Sequence, residues 1–597
     1  MISYVSSDLS SNNLGRVLGF AAFSKSCSSF SQQTLIGALE KLASVFDLFL
    51  FWQELPNFRI GILSRAPITF EVKASDQLSF VVSSATSENI DADRFLKITL
   101  IGNSLTCQSD YAGTVPYYYS KTGPLIISSF ISVVEKALGV SEYDIDLAAL
   151  FAFVKFGHSI WDETVWQEIA SGTPSSKTTF SADADHHPLG LIQKSAFSDD
   201  GSQAKFVRAK SLLELKELNS SLVKDSLRGS EQIVLPLSSG LDSRLVLAGI
   251  SDDNILKRRT LAVTYGPVNS IEVKSAKRLA EESGIKWLHL DLPLDFLSEK
   301  FLSESSLIFG SSLHMHAMYQ LEFLEELKRR GLAGEGSVLT SGFMTGVPTG
   351  QHISKLGRWQ IDINSEAFLE SFSQSRYWSA KELNQIFGHY SDRGSELVSQ
   401  KLDLIPKVYP SNPYKQSILV DIWTRQRNFI SYHPRTLEVR HPVASPHMRV
   451  EWASFFLGQP TSWLWKRRLV QEFFLDYYPK LAAIPTNSEN FSRLGTPLQS
   501  MGRIAYILLE RINLANMIPK RFGDQQFRFD AIALSKTLPK SLAPLPGSLP
   551  NMLNHEPIHN AVSDLIKSLG EDIGAYGKLV ALQSLTRSLD ANIQIKS

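Results

Sequence analysis

A chain of 597 residues, 43% hydrophobic and 20% charged, carries enough apolar material for two or more domains with buried cores, which excludes long-range disorder as its organising state. Its 60 basic and 60 acidic residues cancel, so it lacks the basic excess with which a general nucleic-acid binder neutralises phosphates. Two cysteines, Cys27 and Cys107, are too few for a disulfide framework and fit no zinc-ligand spacing; they read as reduced, partly buried thiols of a cytoplasmic protein.

Met1 to Asp8 are polar and lack a basic segment followed by an apolar run, so no signal peptide is expected there. The longest apolar run, residues 46–52, is strand-length and falls far short of the ~20 residues of a membrane helix. Up to about residue 190 the pattern is strand-rich. Val5 and residues 58–62, 78–82 and 95–100 lie in apolar or alternating runs between turn formers, with helical periods at 32–45 and 131–138. Tyr117, Tyr118 and Tyr119 read as strand core. Residues 171–185, rich in Ser, Thr, Gly and Asp, read as a loop or linker, and His186-His187 beyond them as incidental.

From about residue 205 the pattern changes. An amphipathic helix at 210–222 precedes an apolar strand at 233–237, a Ser/Gly turn and a helix from Ser243. Strand 260–264, helix 271–283 and strand 287–290 repeat the theme. This alternation predicts parallel βαβ units in a doubly wound sheet. After about 310 the chain reads as mainly helical. His314 and His316, two apart, would lie on different helix faces, which argues against a metal pair. Pro-rich residues 538–550 mark a loop before a last helical segment at 558–589.

The stretch Leu237-Ser238-Ser239-Gly240-Leu241-Asp242-Ser243-Arg244 carries the chemistry. An apolar strand enters it and an amphipathic helix leaves it. Small residues and unpaired N–H groups at a helix N-terminus then face outward, an arrangement that binds phosphate. Asp242 adds a carboxylate that could hold Mg²⁺ bridging phosphates. The plain alternative is a strand-to-helix turn with Ser and Asp as capping residues. The loop is not a Walker A motif, which needs Gly-Lys-Ser/Thr.

It resembles the Ser-Gly-Gly-x-Asp-Ser pyrophosphate loop of ATP pyrophosphatases, with Ser239 in place of one glycine. Further stretches are similar to the asparagine-synthetase family, glutamine-hydrolysing type. Thr264-Tyr265-Gly266 and Ser270-Ile271-Glu272 resemble its second strand and following helix, and Ser341-Gly342 the start of its Ser-Gly-x-Gly-x-Asp loop. Glu438-Val439-Arg440-His441-Pro442 resembles its Glu-x-Arg-x-Pro segment, and Lys466-Arg467-Arg468-Leu469 with Tyr478-Pro479 its basic helix. Upstream, Asp110 to Tyr119 and Ser128-Ser129 resemble the Asp-x-x-Gly-x-x-Pro-Leu-Tyr-Tyr and Ser-Ser motifs of a glutamine-amidotransferase domain. The resemblance implies an α/β chain with an N-terminal α+β sandwich of the N-terminal-nucleophile amidotransferase type (residues 1–190). A doubly wound parallel-sheet ATP-pyrophosphatase domain with helical additions (205–597) follows it.

The resemblance also assigns roles. Leu237, Ser238, Ser239, Gly240, Leu241, Asp242, Ser243, Thr264, Tyr265, Gly266, Ser341 and Gly342 would hold ATP, and Asp242 Mg²⁺. Lys466 would stabilise the leaving pyrophosphate, with Arg467 an equal candidate by spacing and a solvent-facing basic helix the alternative, and Glu438 would orient or deprotonate an attacking amine or else pair structurally with Arg440. Arg244 could touch substrate or phosphate, although a solvated or salt-bridged arginine fits its position as well. Three departures stand out. Position 2 is Ile2, where a glutaminase of this type needs cysteine. Gly346 falls where the family has its second magnesium-binding Asp, and Phe343 lies in the same loop. Ser445 stands where Asp is usual. The expected activity is therefore an ATP-dependent ligase without its own glutaminase. It would adenylate a small-molecule or peptide carboxylate and pass it to an amine or ammonia, as β-lactam synthetases and lasso-peptide cyclases do. Neither nucleic acid nor membrane is expected as a partner, and a homodimer is allowed. The competing expectation is a degenerate pseudoenzyme that serves as a nucleotide- or partner-binding scaffold.

Overall fold

The computed structural model describes residues 17–65, 77–83, 94–140, 144–184, 188–193, 196–197, 206–266, 268, 270–292, 299–312, 319–334, 336–353, 378 and 380–486. Ile2, Val5, His186, His187, His314, His316 and the expected loop and helix beyond residue 538 lie outside them.

The first described strands are β1 (Val17–Ser24), β2 (Phe49–Glu54), β3 (Phe58–Ser64), β4 (Gln77–Ser83), β5 (Phe95–Ile101), β6 (Ser104–Ser109), β7 (Tyr118–Ser120), β8 (Ile126–Ser128), β9 (Ile169–Ser171), β10 (Ser176–Ser181) and β11 (Gly190–Gln193). They form two antiparallel sheets, in the orders β2-β3-β1-β8-β7-β9 and β11-β10-β6-β5-β4. Period-2 alternation explains how they pack. Phe20, Ala22, Ile60 and Ile62 of one sheet share a core with Leu96, Ile98, Leu100 and Cys107 of the other. The opposite face of the first sheet, with Ala21, Phe23 and Leu63, joins the core of α1 (Ser29–Val45) and α2 (Ile131–Leu138). Both cysteines are free and buried, and burial raises both thiol pKa values.

One expectation needs correction. Within the stretch 171–185, read as a loop or linker, residues 176–181 form a sheet strand: β9 ends at Ser171, and β10 lies between β11 and β6 with Thr178 opposite Cys107. Ser176 and Thr178 put hydroxyls at two of its inward positions, ahead of Phe180, and these find partners there. Ser176 Oγ donates to the Thr173 carbonyl at 2.7 Å, and Tyr117 Oη donates to Thr178 Oγ1 at 2.7 Å. The polar composition hid the alternation.

Beyond the sandwich, α3 (Leu147–Phe156) is capped by Asp146 and buried along most of its length. α4 (Arg208–Ser226) then leads into β12 (Gln232–Pro236), α5 (Leu241–Ser251), α6 (Asn254–Arg259), β13 (Thr260–Tyr265), α7 (Ile271–Ser283), β14 (Lys286–Leu290), α8 (Glu299–Phe309), α9 (Tyr319–Arg329), β15 (Ser337–Thr340) and β16 (Val443–Ala444). The five strands pair in parallel in the order β14-β13-β12-β15-β16. The chain builds outward from β12 to β14 and then returns to β15 on the other side of β12. Open α/β sheets bind ligands beyond the carboxyl ends of their strands at such a reversal. Helices dominate from residue 380, including Pro413–Asp421, which continues as a π-helical segment Ile422–Ile430, and Tyr432–Glu438.

The sandwich and the parallel sheet share one core cluster that runs from Ala21 to Ile484. Polar anchors cross the same boundary. Trp423 Nε1 donates to the Tyr111 carbonyl at 2.9 Å, Arg427 Nη1 to the Trp161 carbonyl at 2.7 Å, and Trp166 Nε1 to Ser311 Oγ at 3.1 Å. Tyr117, Tyr118 and Tyr119 are all buried, as their sequence pattern predicts. Among the described residues, no helix is long and apolar enough to cross a membrane.

Candidate functional site

A cavity of about 240 Å³ opens at the strand reversal. Leu237 and Ser238 enter it from the end of β12, Thr264 and Tyr265 from β13, and Thr340, Ser341 and Gly342 from β15. Phe323 of α9 and Pro434 and Leu437 of the helix Tyr432–Glu438 complete an apolar wall. Six residues picked from sequence thus line one pocket: Leu237, Ser238, Thr264, Tyr265, Ser341 and Gly342. Gly266 follows at the end of β13 with φ +109, a backbone state that favours glycine, and its carbonyl is 2.7 Å from His289 Nε2.

The loop below the pocket is held by its own side chains. Ser238 N–H donates to Ser243 Oγ at 3.1 Å, and Gly240 N–H to Ser238 Oγ at 3.1 Å. Ser239 is fully buried, with its N–H 2.9 Å from Glu272 Oε1 and its hydroxyl 2.5 Å from Oε2. Glu272 sits in the first turn of α7, where a helix N-terminus favours a carboxylate. Ser239 therefore has a dedicated acceptor in Glu272. Glu272 also lines the pocket, a role the sequence pattern does not reveal. Gly240 caps α5 without a side-chain hydrogen bond, so no capping side chain occupies the first amides of that 11-residue helix.

Asp242, in the first turn of α5, points toward the basic segment rather than to other carboxylates. Its Oδ1 lies 2.7 Å from Arg467 Nη2; the arginine side chain is 1% exposed and that of Asp242 35%. Lys466 and Arg467 both adopt left-handed backbone conformations, with φ of 52° and 57°. Two such non-glycine residues in succession make a sharp reversal that directs Arg467 at the loop. Gln471 Nε2 ties down the reversal by donating to the Lys466 carbonyl at 2.7 Å. Of the two basic residues singled out by spacing, Arg467 makes the ion pair with Asp242.

Glu438 faces the sandwich. It is ion-paired with the fully buried Arg94, whose guanidinium also donates to Thr114 Oγ1 at 3.2 Å and to the Thr114 carbonyl at 3.0 Å. The same guanidinium sits 5.7 Å from the Phe343 ring. Arg244 is not solvated, and it makes no salt bridge among the described residues. It is fully buried and donates to the carbonyls of Ser239, Leu481, Ile484 and Pro485. Ser445 is buried with its hydroxyl unpaired among the described residues.

These residues do not make a protein cage for a divalent cation. A Cβ placed on Gly346 would stand 3.0 Å from Asp242 Oδ1, but Gly346 holds no side chain. That Cβ would also stand 2.0 Å from Gln351 Oε1. No group of three or more His, Cys, Asp or Glu side chains able to hold a metal occurs among the described residues. A scan against models of known protein families finds no match to this chain, and a search of curated proteins also finds none.

Proposed function

We propose that this protein is an asparagine-synthetase-like ATP-dependent ligase that forms amide bonds, releasing AMP and pyrophosphate, without glutaminase chemistry of its own. The observation that carries the reading is the position of the Ser238–Ser243 loop. It lies at the carboxyl end of the central strand, beneath a pocket at the strand reversal. The apolar wall of Leu237, Phe323, Pro434 and Leu437 suits a nucleobase. The first amides of α5 suit the phosphates. A carboxylate oxygen of the substrate attacks the α-phosphorus of ATP, the bond to the bridging α,β oxygen breaks, and pyrophosphate leaves. An amine or ammonia then attacks the acyl carbon of the adenylate, AMP departs and the amine loses a proton, leaving an amide. In this reading the amine or ammonia is a second substrate.

Two ion pairs favour a second reading, a scaffold that binds a nucleotide without turnover. Asp242 is engaged by Arg467 and Glu438 by Arg94, the two carboxylates to which the resemblance assigns chemistry. The deciding measurement is AMP and pyrophosphate release from α-labelled ATP, offered with candidate carboxylates and amines, for wild type and Asp242→Ala. Calorimetry on the same samples accompanies it. Turnover lost in the variant supports the ligase. Nucleotide bound by the wild type without turnover across the substrate panel supports the scaffold. No nucleotide binding rejects both.

A further inference from the structure

We infer that this site takes up the phosphates of its nucleotide without a protein-bound divalent cation, Arg467 serving as the permanent counterion of Asp242. The inference rests on the nucleotide reading above and concerns what neutralises the site. A carboxylate in the first turn of a phosphate-binding helix repels the ligand unless a cation stands beside it. Here the cation belongs to the chain. Arg467 Nη2 is 2.7 Å from Asp242 Oδ1, and the guanidinium is 1% exposed.

The geometry makes that counterion a fixed part of the fold. Consecutive left-handed residues, Lys466 and Arg467, set its direction, and the Gln471 side chain holds the preceding carbonyl. Glu272, the other acid at the site, is held by the N–H and hydroxyl of Ser239 rather than turned to Asp242. Gly346 stands where a further acid would complete a cation cage, and any Cβ there meets Gln351 Oε1 at 2.0 Å and Asp242 Oδ1 at 3.0 Å. Asp242 and the buried Arg467 form a neutral pair beside the helix N-terminus, so the α5 amides can receive phosphate directly.

The test is calorimetric titration of the full chain with ATP, once in EDTA and once in magnesium chloride. The inference expects dissociation constants within about threefold of each other. It also expects Arg467→Met to weaken binding in EDTA by about tenfold or more, and Arg467→Lys to recover part of the loss. A thermal melt of each variant checks folding. If Arg467→Met does not fold, the converse variant decides. Gly346→Asp with Gln351→Gly adds the missing acid and should make ATP binding magnesium-dependent. Wild-type binding seen only with magnesium overturns the inference and leaves the nucleotide reading intact. Absence of ATP binding in both buffers overturns both. A folded Arg467→Met that binds in EDTA as tightly as wild type also overturns it, as does a converse variant indifferent to magnesium.

Discussion

Arg94 and Glu438 stand 344 residues apart in sequence and meet as an ion pair whose guanidinium is wholly buried, joining the sandwich to the helix that walls the pocket. Arg65 shares the same carboxylate electrostatically: burial lowers its pKa to about 10, and Glu438 pulls it back upward. Removing one partner of such a pair leaves an uncompensated charge in the interior. Glu438→Gln should therefore lower unfolding stability by about 3–5 kcal/mol in a urea titration. Combined with Arg94→Met it should cost less than the two single losses added together. A Glu438→Gln protein as stable as wild type but unable to form the amide would instead assign the residue to the chemistry.

Arg244 provides a second test. Its guanidinium gathers the carbonyls of Ser239 in the loop and of Leu481, Ile484 and Pro485, although burial lowers its pKa to about 10. Arg244→Lys should not substitute, because one ammonium cannot reproduce the planar fork. The expected loss is about 3 kcal/mol, with faster limited proteolysis near residue 484. Unchanged proteolysis at that segment would show that the clamp does not hold it.

Much of the parallel sheet was legible from sequence. Strands 233–237, 260–264 and 287–290 were short, mainly apolar runs separated by a helical period, and burial of the central β12 and β13 on both faces favours that pattern. The observed β12, β13 and β14 lie within a residue or so of those runs. The loop at 238–243 was legible because small residues between an apolar strand and a helix have few other readings. β10 was not, because hydroxyls at Ser176 and Thr178 occupy its buried face. The pairing of Arg467 with Asp242 and the roles of Glu272 and Arg94 were also hidden, since their partners lie 225, 33 and 344 residues away. Spacing within a motif gives the residues that share a loop, but not the distant charge that completes them.

Acid should weaken the fold through its buried histidines. Burial lowers the pKa of His447 to about 3 and of His158 and His441 to about 4. The neutral His447 ring bridges Thr345 Oγ1, 2.7 Å from Nδ1, and Asn219 Oδ1, 2.8 Å from Nε2. In the unfolded chain these rings take up protons near pH 6.5, while in the folded chain they do so only near 3 to 4. The unfolded state therefore binds more protons in between, and stability falls as pH drops through that window, by up to about 1.4 kcal/mol per pH unit per ring. Glu163 opposes this trend, because burial raises its pKa to about 7 and its neutral form is favoured toward low pH. Comparing His447→Gln with wild type from pH 7.5 to 5 isolates one ring. The stability gap between them should narrow as the pH falls; a constant gap would contradict the linkage.

Gly350 tests the basic reversal from a distance. It has φ +92, and a Cβ there would stand 2.2 Å from the carbonyl oxygen of Leu464, just before Lys466 and Arg467. Gly350→Ala should cost about 2 kcal/mol or more and weaken ATP binding together with stability, because relieving the clash moves the segment that carries Arg467. A variant that loses stability but keeps wild-type ATP affinity would mean that the reversal is held independently of this contact.

The continuous core has a consequence for the order in which the protein can be made. Trp161 of the sandwich packs on Trp423 with ring centroids 6.3 Å apart, and Phe151 on Phe387 at 4.8 Å. A ribosome completes the first of each pair more than two hundred residues before the second. At about 5–20 residues per second the nascent sandwich waits on the order of 10–50 s with those aromatic faces uncovered. Birth of this protein thus includes an interval in which its first half is sticky and unfinished, and in which a holding chaperone would find its binding surface.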